Sequence, residues 1–219
     1  MPPIDQTAAE RMNRIYRHQR HVYDATRRLL LPGRRALIDD LLPPTGGRVL
    51  EVGCGTAWML VRIARRYPEV RLFGLDVSAQ MLATACQKVT RAGFAERIRL
   101  AEADATEFDA AELFGHAAFD RVIISYALSM MPDWQRALDA AACVLGPGGS
   151  MHIVDFGALE AVPALARRLR DGVLARLSVT PRTDLEQTLR ALGGRHALRV
   201  EVTHRLGGYA QLARLTRAG

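Results

Sequence analysis

The 219-residue sequence predicts an α/β fold: a doubly wound mixed sheet, finished by a C-terminal antiparallel hairpin and preceded by an N-terminal helical lid. Three observations predict it. Strand-like and helix-like patterns alternate from residue 48 to 157, which calls for a parallel sheet with helices on both faces. A glycine turn, Gly53-Cys54-Gly55, follows directly on the first strand-like run. Two apolar runs at the tail flank Gly207-Gly208, a hairpin signal.

The elements follow in order. Residues 5–30 contain neither proline nor glycine and predict helix up to the Leu31-Pro32-Gly33 break. A short helix over 37–42 is stopped by Pro43-Pro44 and Gly46-Gly47. RVLEVG (48–53) reads as a strand, and AWMLVRIARRY (57–67) has apolar residues at helical spacing. VRLFGLD (70–76) is a second strand, after which Ser78 is a good cap for a helix to about Ala92. RIRLAEAD (97–104) and FDRVIISYAL (119–128) read as strands three and four. Pro132 opens a helix to Leu145, stopped by GPGG, and SMHIVDFG (150–157) is strand five. Helix over 160–177 is predicted from Val162, Leu165, Leu169, Val173 and Leu177.

Composition narrows the function classes. No run approaches the roughly 20 apolar residues of a membrane span. The first residues lack the apolar core of a secretory signal, so a cytoplasmic protein is expected. Cys54, Cys86 and Cys143 are scattered and form no CxxC pair, which predicts reduced, mostly buried thiols and no metal site. Cys54, inside the glycine loop, reads as a small filler. The net charge is +7, and Lys88 is the only lysine. Residues 1–35 hold eight arginines against three acids, a net of +5. A basic arm (1–35) before a near-neutral body (36–219) points to an anionic surface, membrane or nucleic acid.

The glycine loop alone is weak. GxxxxGK[ST] is absent, and Trp58 stands where GxGxxG needs its third glycine. More specific is the ordered set of acids near the ends of three successive strands. Asp76 closes the second strand, where an acid accepts ribose hydroxyls. Asp104 closes the third, near the place of an adenine amine. Glu51 lies inside the first. Any one of them alone could be a helix cap or a surface charge.

Together Glu51, Gly53, Gly55, Asp76 and Asp104 resemble the class I S-adenosylmethionine-dependent methyltransferases. Their Rossmann-like sheet opens on an hhEhGxGxG segment, here VLEVGCGTA (49–57), with Ala57 in place of the last glycine. The resemblance covers about residues 36–157. It implies S-adenosyl-L-methionine as cofactor, held by Glu51, Gly53, Cys54, Gly55, Asp76, Val77, Met81, Asp104, Ala105 and Ser125, with Glu51 facing the methionine end.

A second resemblance concerns the methyl acceptor. YRHQRHVYDATRRLLLPGR (16–34) is similar to the N-terminal signature of bacterial betaine-lipid N-methyltransferases, which convert diacylglyceryl-homoserine to diacylglyceryl-N,N,N-trimethylhomoserine. HIVDFG (152–157), VTPRTDLE (179–186) and GGYAQLARL (207–215) also resemble that family, whereas Leu29-Leu30 replace its usual aromatics. The reaction so implied needs an aligned amine, a proton acceptor, and aromatic faces for a cationic product. Asp155 is the candidate acid, and Tyr23, Tyr126 and Tyr209 are the candidate aromatics, each with an ordinary core or rim role as its alternative. His21, His152 and His204 read as structural or surface residues. Arg27 and Arg28 could grip a lipid carboxylate or phosphate, or form a solvated basic helix face. Arg167, Arg168, Arg170 and Arg176 could rest the helix at 160–177 on an anionic bilayer, against the alternative that its apolar stripe packs on the sheet.

The expected partner is therefore a lipid substrate at the inner face of an anionic membrane. Phosphatidylethanolamine N-methylation is the nearest alternative. RNA methylation or binding is weaker, because no RNA-binding module is legible and an NPPY-type motif is missing after strand four, where SYALSMMP stands.

Overall fold

The computed structural model describes residues 31–159, 164–176 and 179–219. The expected helix at 5–30 lies outside these residues, as does nearly all of the proposed lid.

The chain begins with α1 (Arg34–Asp39) and β1 (Arg48–Val52), then α2 (Trp58–Arg66) and β2 (Arg71–Asp76). α3 (Ala79–Arg91) leads to β3 (Ile98–Glu102), and α4 (Ala110–Phe114) leads to β4 (Phe119–Ser125). A 3₁₀ turn (Leu128–Met130) and α5 (Trp134–Cys143) precede β5 (Leu145–Phe156). Then come α6 (Ala164–Arg176), α7 (Leu185–His196), β6 (Leu198–Arg205) and β7 (Ala210–Arg217).

These strands form a 7-stranded sheet in the order β3-β2-β1-β4-β5-β7-β6. β1 to β5 are parallel; β7 pairs antiparallel with β5 and β6. The order reverses between β1 and β4, and at such a switch point an α/β sheet opens its ligand crevice. Beyond Arg48 at its start, β1 is buried and apolar on both faces apart from Glu51, because helices cover both sides. One face packs α1, α2, α3 and Leu174 of α6 against Leu72, Ile123 and Val154. The other packs α4, α5 and α7 against Leu50, Phe73 and Ile124.

The expected strands and helices from 48 to 143 are present, shifted by one to three residues at their ends. The helix expected at 37–42 forms at 34–39 instead. Strand five starts earlier than expected: Gly146-Pro147-Gly148-Gly149 lies within it, beside a register shift opposite Phe119 and Arg121. A break in register of this kind accommodates residues that otherwise signal a turn. α4 and α7 stand where the sequence reading assigned no element, although Leu185, Leu189 and Leu192 bury one face of α7.

Two expectations fail. Cys86 and Cys143 are exposed, and only Cys54 is buried. In α6, Leu174 turns into the core while Val173 is 50% exposed, so the supposed apolar stripe is rotated off Val173. Leu174 fits between elements on the α1–α2 face, which fixes the rotation of the helix.

Candidate active site

The crevice is built from the carboxyl ends of β1 to β5. As β1 ends, the amides of Gly53 and Cys54 both donate to the Leu75 carbonyl at 2.9 Å. Asp76, at the tip of β2, takes the next contacts: its Oδ2 accepts the Gly55 amide at 2.8 Å and its Oδ1 the Ser78 amide at 2.9 Å. The acid expected to bind ribose hydroxyls thus also shapes the loop. A carboxylate oxygen has a second lone pair, so both roles fit one side chain.

Gly53 is required twice over. Its φ is +71°, and a Cβ would stand 2.7 Å from the Ala127 Cβ. Ala57, at the position of the family's last glycine, adopts φ 56° as the residue before α2. A left-handed alanine costs roughly 1–2 kcal/mol, which the packed loop holds in place. Cys54 is indeed a filler, buried beside Gly74, and burial pushes its thiol pKa up. Glu51 is buried in the sheet centre between Gly74 of β2 and Ile123 of β4.

Along the β2–β3 side, Met81 is buried in the first turn of α3, where its amide donates to the Ser78 hydroxyl at 3.3 Å. Val77 is partly buried and Ala105 is buried. Asp104 folds back on its own turn, its Oδ1 accepting both the Thr106 amide and hydroxyl at 2.8 Å. This fixes the carboxylate at the end of β3.

At the end of β4 stands a group the sequence reading missed. Arg34 is buried and donates from Nε to the Ser125 hydroxyl at 3.0 Å. Its guanidinium carbon lies 5.5 Å from the Trp58 ring centroid and 5.6 Å from that of Tyr126. Tyr126 has φ 54°, a strained value for a bulky residue, and its hydroxyl donates to the Pro32 carbonyl. Its ring meets Phe156 edge-on at 4.7 Å, and Phe156 in turn meets Tyr209 at 5.8 Å. Burial, with Asp155 adding, holds the Tyr126 phenol far above its ordinary pKa; burial raises Tyr209 too.

Asp155 is fully buried. Its Oδ2 accepts the Ser129 amide at 3.2 Å and its Oδ1 the Phe156 amide at 2.8 Å, while burial raises its pKa. The same loop is clamped by Arg182, whose Nε donates to the Leu128 carbonyl at 3.1 Å and whose second arm donates to that of Met131. Gln211 then holds the Arg182 carbonyl at 3.2 Å. VTPRTDLE and GGYAQLARL thus meet at one loop, through contacts to backbone carbonyls that carry no sequence pattern.

The fold therefore gathers Glu51, Gly53, Cys54, Gly55, Asp76, Asp104, Ser125, Tyr126 and Asp155 around the carboxyl edge, with Tyr209 packed beside Phe156. Tyr23, Arg27 and Arg28 lie outside the described residues. His152 is a core residue, its Nε2 2.8 Å from the Ser150 hydroxyl, and His204 is an exposed residue of β6. The turn and the neighbouring loop fit closely: Gly53, without a side chain, lets Ala127 and Met131 pack against the glycine turn, and the chain holds acids at the ends of β2 and β3 where a ribose and an adenine amine need acceptors.

Comparison with known proteins gives the class. The "Methyltransferase domain" family matches residues 49–149. The chain is 35% identical over 162 residues to a phosphatidylethanolamine N-methyltransferase of Cereibacter sphaeroides, covering 68% of this chain and 76% of that one. It belongs to the S-adenosylmethionine-dependent class I methyltransferases, and its cofactor is S-adenosyl-L-methionine. It is also 32% identical over 139 residues to a demethylmenaquinone methyltransferase of Thermus thermophilus, covering 61% of this chain and 60% of that one. In fold it is similar to phosphoethanolamine N-methyltransferase 2 of Haemonchus contortus, with a TM-score of 0.75, 16% identity, and coverage of 99% of this chain and 62% of that one.

Proposed function

We propose that the enzyme methylates the amine of diacylglyceryl-homoserine to give the trimethylated betaine lipid. The observation that carries this is the juxtaposition of the buried Arg34 with the Tyr126–Phe156–Tyr209 aromatic cluster at the end of β4 and β5. A zwitterionic head group needs both: a guanidinium for its anion and aromatic faces for its ammonium. The N-terminal segment 16–34, with Tyr23, Arg27 and Arg28, supports the same acceptor by its resemblance to betaine-lipid enzymes.

S-adenosylmethionine supplies an electrophilic methyl group when bound. The glycine loop, Asp76 and Asp104 hold it, and Tyr126 borders the acceptor. Alignment is the main contribution of the protein. Asp155 holds the Ser129 turn and is closed to solvent, and Tyr126 keeps its proton at all ordinary pH values. In this reading the amine sheds its proton to water before it enters the site, and the aromatic faces meet the cation that methyl transfer forms.

The second reading is phosphatidylethanolamine, favoured by the relative from Cereibacter sphaeroides. Both lipids place an anionic group near the amine. The test is lipid extraction and mass spectrometry after expression in one host that makes diacylglyceryl-homoserine and another that makes only phosphatidylethanolamine. Mono-, di- and trimethylated homoserine lipid in the first host supports the proposal. Methylation in the second alone transfers the function to phosphatidylethanolamine.

A further inference from the structure

A groove of about 440 Å³ lies between α2 and α3 on the outer surface of the molecule. Its lining carries Arg62, Arg65, Lys88 and Arg91 and no carboxylate. Arg62 and Arg65 are three residues apart on α2, and Lys88 and Arg91 three apart on α3, so each pair shares a helix face. The two faces meet across the groove. Arg66, the next residue along, instead approaches Asp39 at 4.0 Å. Among the described residues, Arg62, Arg65 and Arg91 form no ion pair with an acid. Arg62, Arg65 and Arg91, gathered in one concavity, repel one another, and a bound anion relieves that repulsion.

We propose that this groove is an anion site, separate from the cofactor crevice, that seats the phosphate of an anionic phospholipid and holds the enzyme on a bilayer. Arginine forks match phosphate oxygens in pairs, and Val61 and Ala92 add apolar lining beside them. Trp58 also lines the groove. Its ring carries the guanidinium carbon of Arg62 at 5.2 Å and that of Arg34 at 5.5 Å, which occupy the area a nucleobase would stack on. That favours a phospholipid over a single nucleic-acid strand. Lys88 links the groove to the crevice, since its ammonium donates to the Thr56 hydroxyl of the glycine loop at 2.8 Å. A bilayer against α2 and α3 therefore brings the glycine loop to the interface. The site concerns adhesion, so it stands whichever amine accepts the methyl group.

The full-length protein is sedimented with vesicles of phosphatidylcholine alone and of phosphatidylcholine mixed with phosphatidylglycerol, neither of which offers a methylatable amine. Arg62→Gln, Arg65→Gln and Arg91→Gln are combined in one variant. Arg136→Gln, Arg190→Gln and Arg199→Gln remove the same charge elsewhere. Each surface cation contributes about fivefold to partitioning. The groove variant is expected to bind mixed vesicles at least tenfold more weakly, to ignore neutral vesicles, and to keep its S-adenosylmethionine affinity by calorimetry. The control variant is expected to keep most of its vesicle binding. Equal losses in the two variants would reduce the effect to net charge and overturn the site. So would undiminished vesicle binding by the groove variant.

Discussion

Asp76 and Gly55 stand 21 residues apart in the chain and are joined by a 2.8 Å hydrogen bond from the Gly55 amide to the Asp76 carboxylate. The bond ties the tip of β2 to the loop after β1, so the carboxylate sets the loop in place before any ligand arrives. The strand-end acid and the glycine turn, two separate signals in the sequence, are one device in the structure.

Asp76→Asn is expected to weaken S-adenosylmethionine binding by at least tenfold and to lower stability by about 1–3 kcal/mol. An amide nitrogen would oppose one of the two N–H donors now bonded to the carboxylate. Calorimetry measures the affinity and urea unfolding the stability. Wild-type affinity in the variant would remove Asp76 from the cofactor site.

Gly53→Ala is expected to cost about 1–3 kcal/mol and to abolish measurable cofactor binding, because its Cβ would press on Ala127 at 2.7 Å from a left-handed backbone. Gly93→Ala has the same sign of φ but open space around it, so it should cost stability without touching cofactor affinity. A like drop in affinity for both would mean that global destabilisation, not the cradle, is responsible.

Much of this arrangement was legible in the sequence. Glu51, Asp76 and Asp104 were readable because acids in an ordered series of strand ends are rare by accident, and strand alternation fixed where the crevice lies. Arg34 and Arg182 were not readable as site residues. Each acts on a hydroxyl, ring or carbonyl brought near only by the tertiary fold, and carbonyls leave no trace in a sequence. Ala57 stands where the family pattern has a glycine, and its backbone takes the glycine conformation anyway. Gly146-Pro147-Gly148-Gly149 misled for a local reason, since turn-forming residues sit inside an irregular strand.

Arg182→Ala should loosen the turn at 128–131 that packs on Gly53. The expected result is a several-fold rise in KM for S-adenosylmethionine with a smaller change in kcat. Arg182→Lys should rescue little, because one ammonium cannot reach the carbonyls of both Leu128 and Met131. Steady-state kinetics distinguishes the outcomes, and full rescue by lysine would reduce the role of Arg182 to charge.

His152 predicts an acid weakness. Burial, with Arg214 and Arg121 adding, lowers its pKa from 6.5 to about 3. The folded protein therefore binds fewer protons than the unfolded chain between these values. The stabilisation is fully present above pH 6.5 and is lost progressively as pH falls toward about 3. Asp155, with a raised pKa, works in the opposite direction. Urea midpoints from pH 7 to 4 should fall in the wild type and fall less steeply in His152→Phe. Identical slopes would assign the acid sensitivity to other groups.

Tyr126 separates ring from hydroxyl. The hydroxyl donates to the Pro32 carbonyl and so fixes the chain where it enters α1, next to Arg34. The ring packs on Phe156 and faces the Arg34 guanidinium. Tyr126→Phe keeps the ring and loses the bond, which is worth about 0.5–1.5 kcal/mol. It should raise KM for the lipid amine a few-fold and leave cofactor affinity unchanged. Tyr126→Leu also loses the π face, worth about 0.5–2 kcal/mol toward a cation. On the proposed function, its deficit should be largest when the assay starts from the dimethylated lipid, whose product would be a fixed cation. Equal losses at the first and third methylations would show that the ring packs the site without recognising charge.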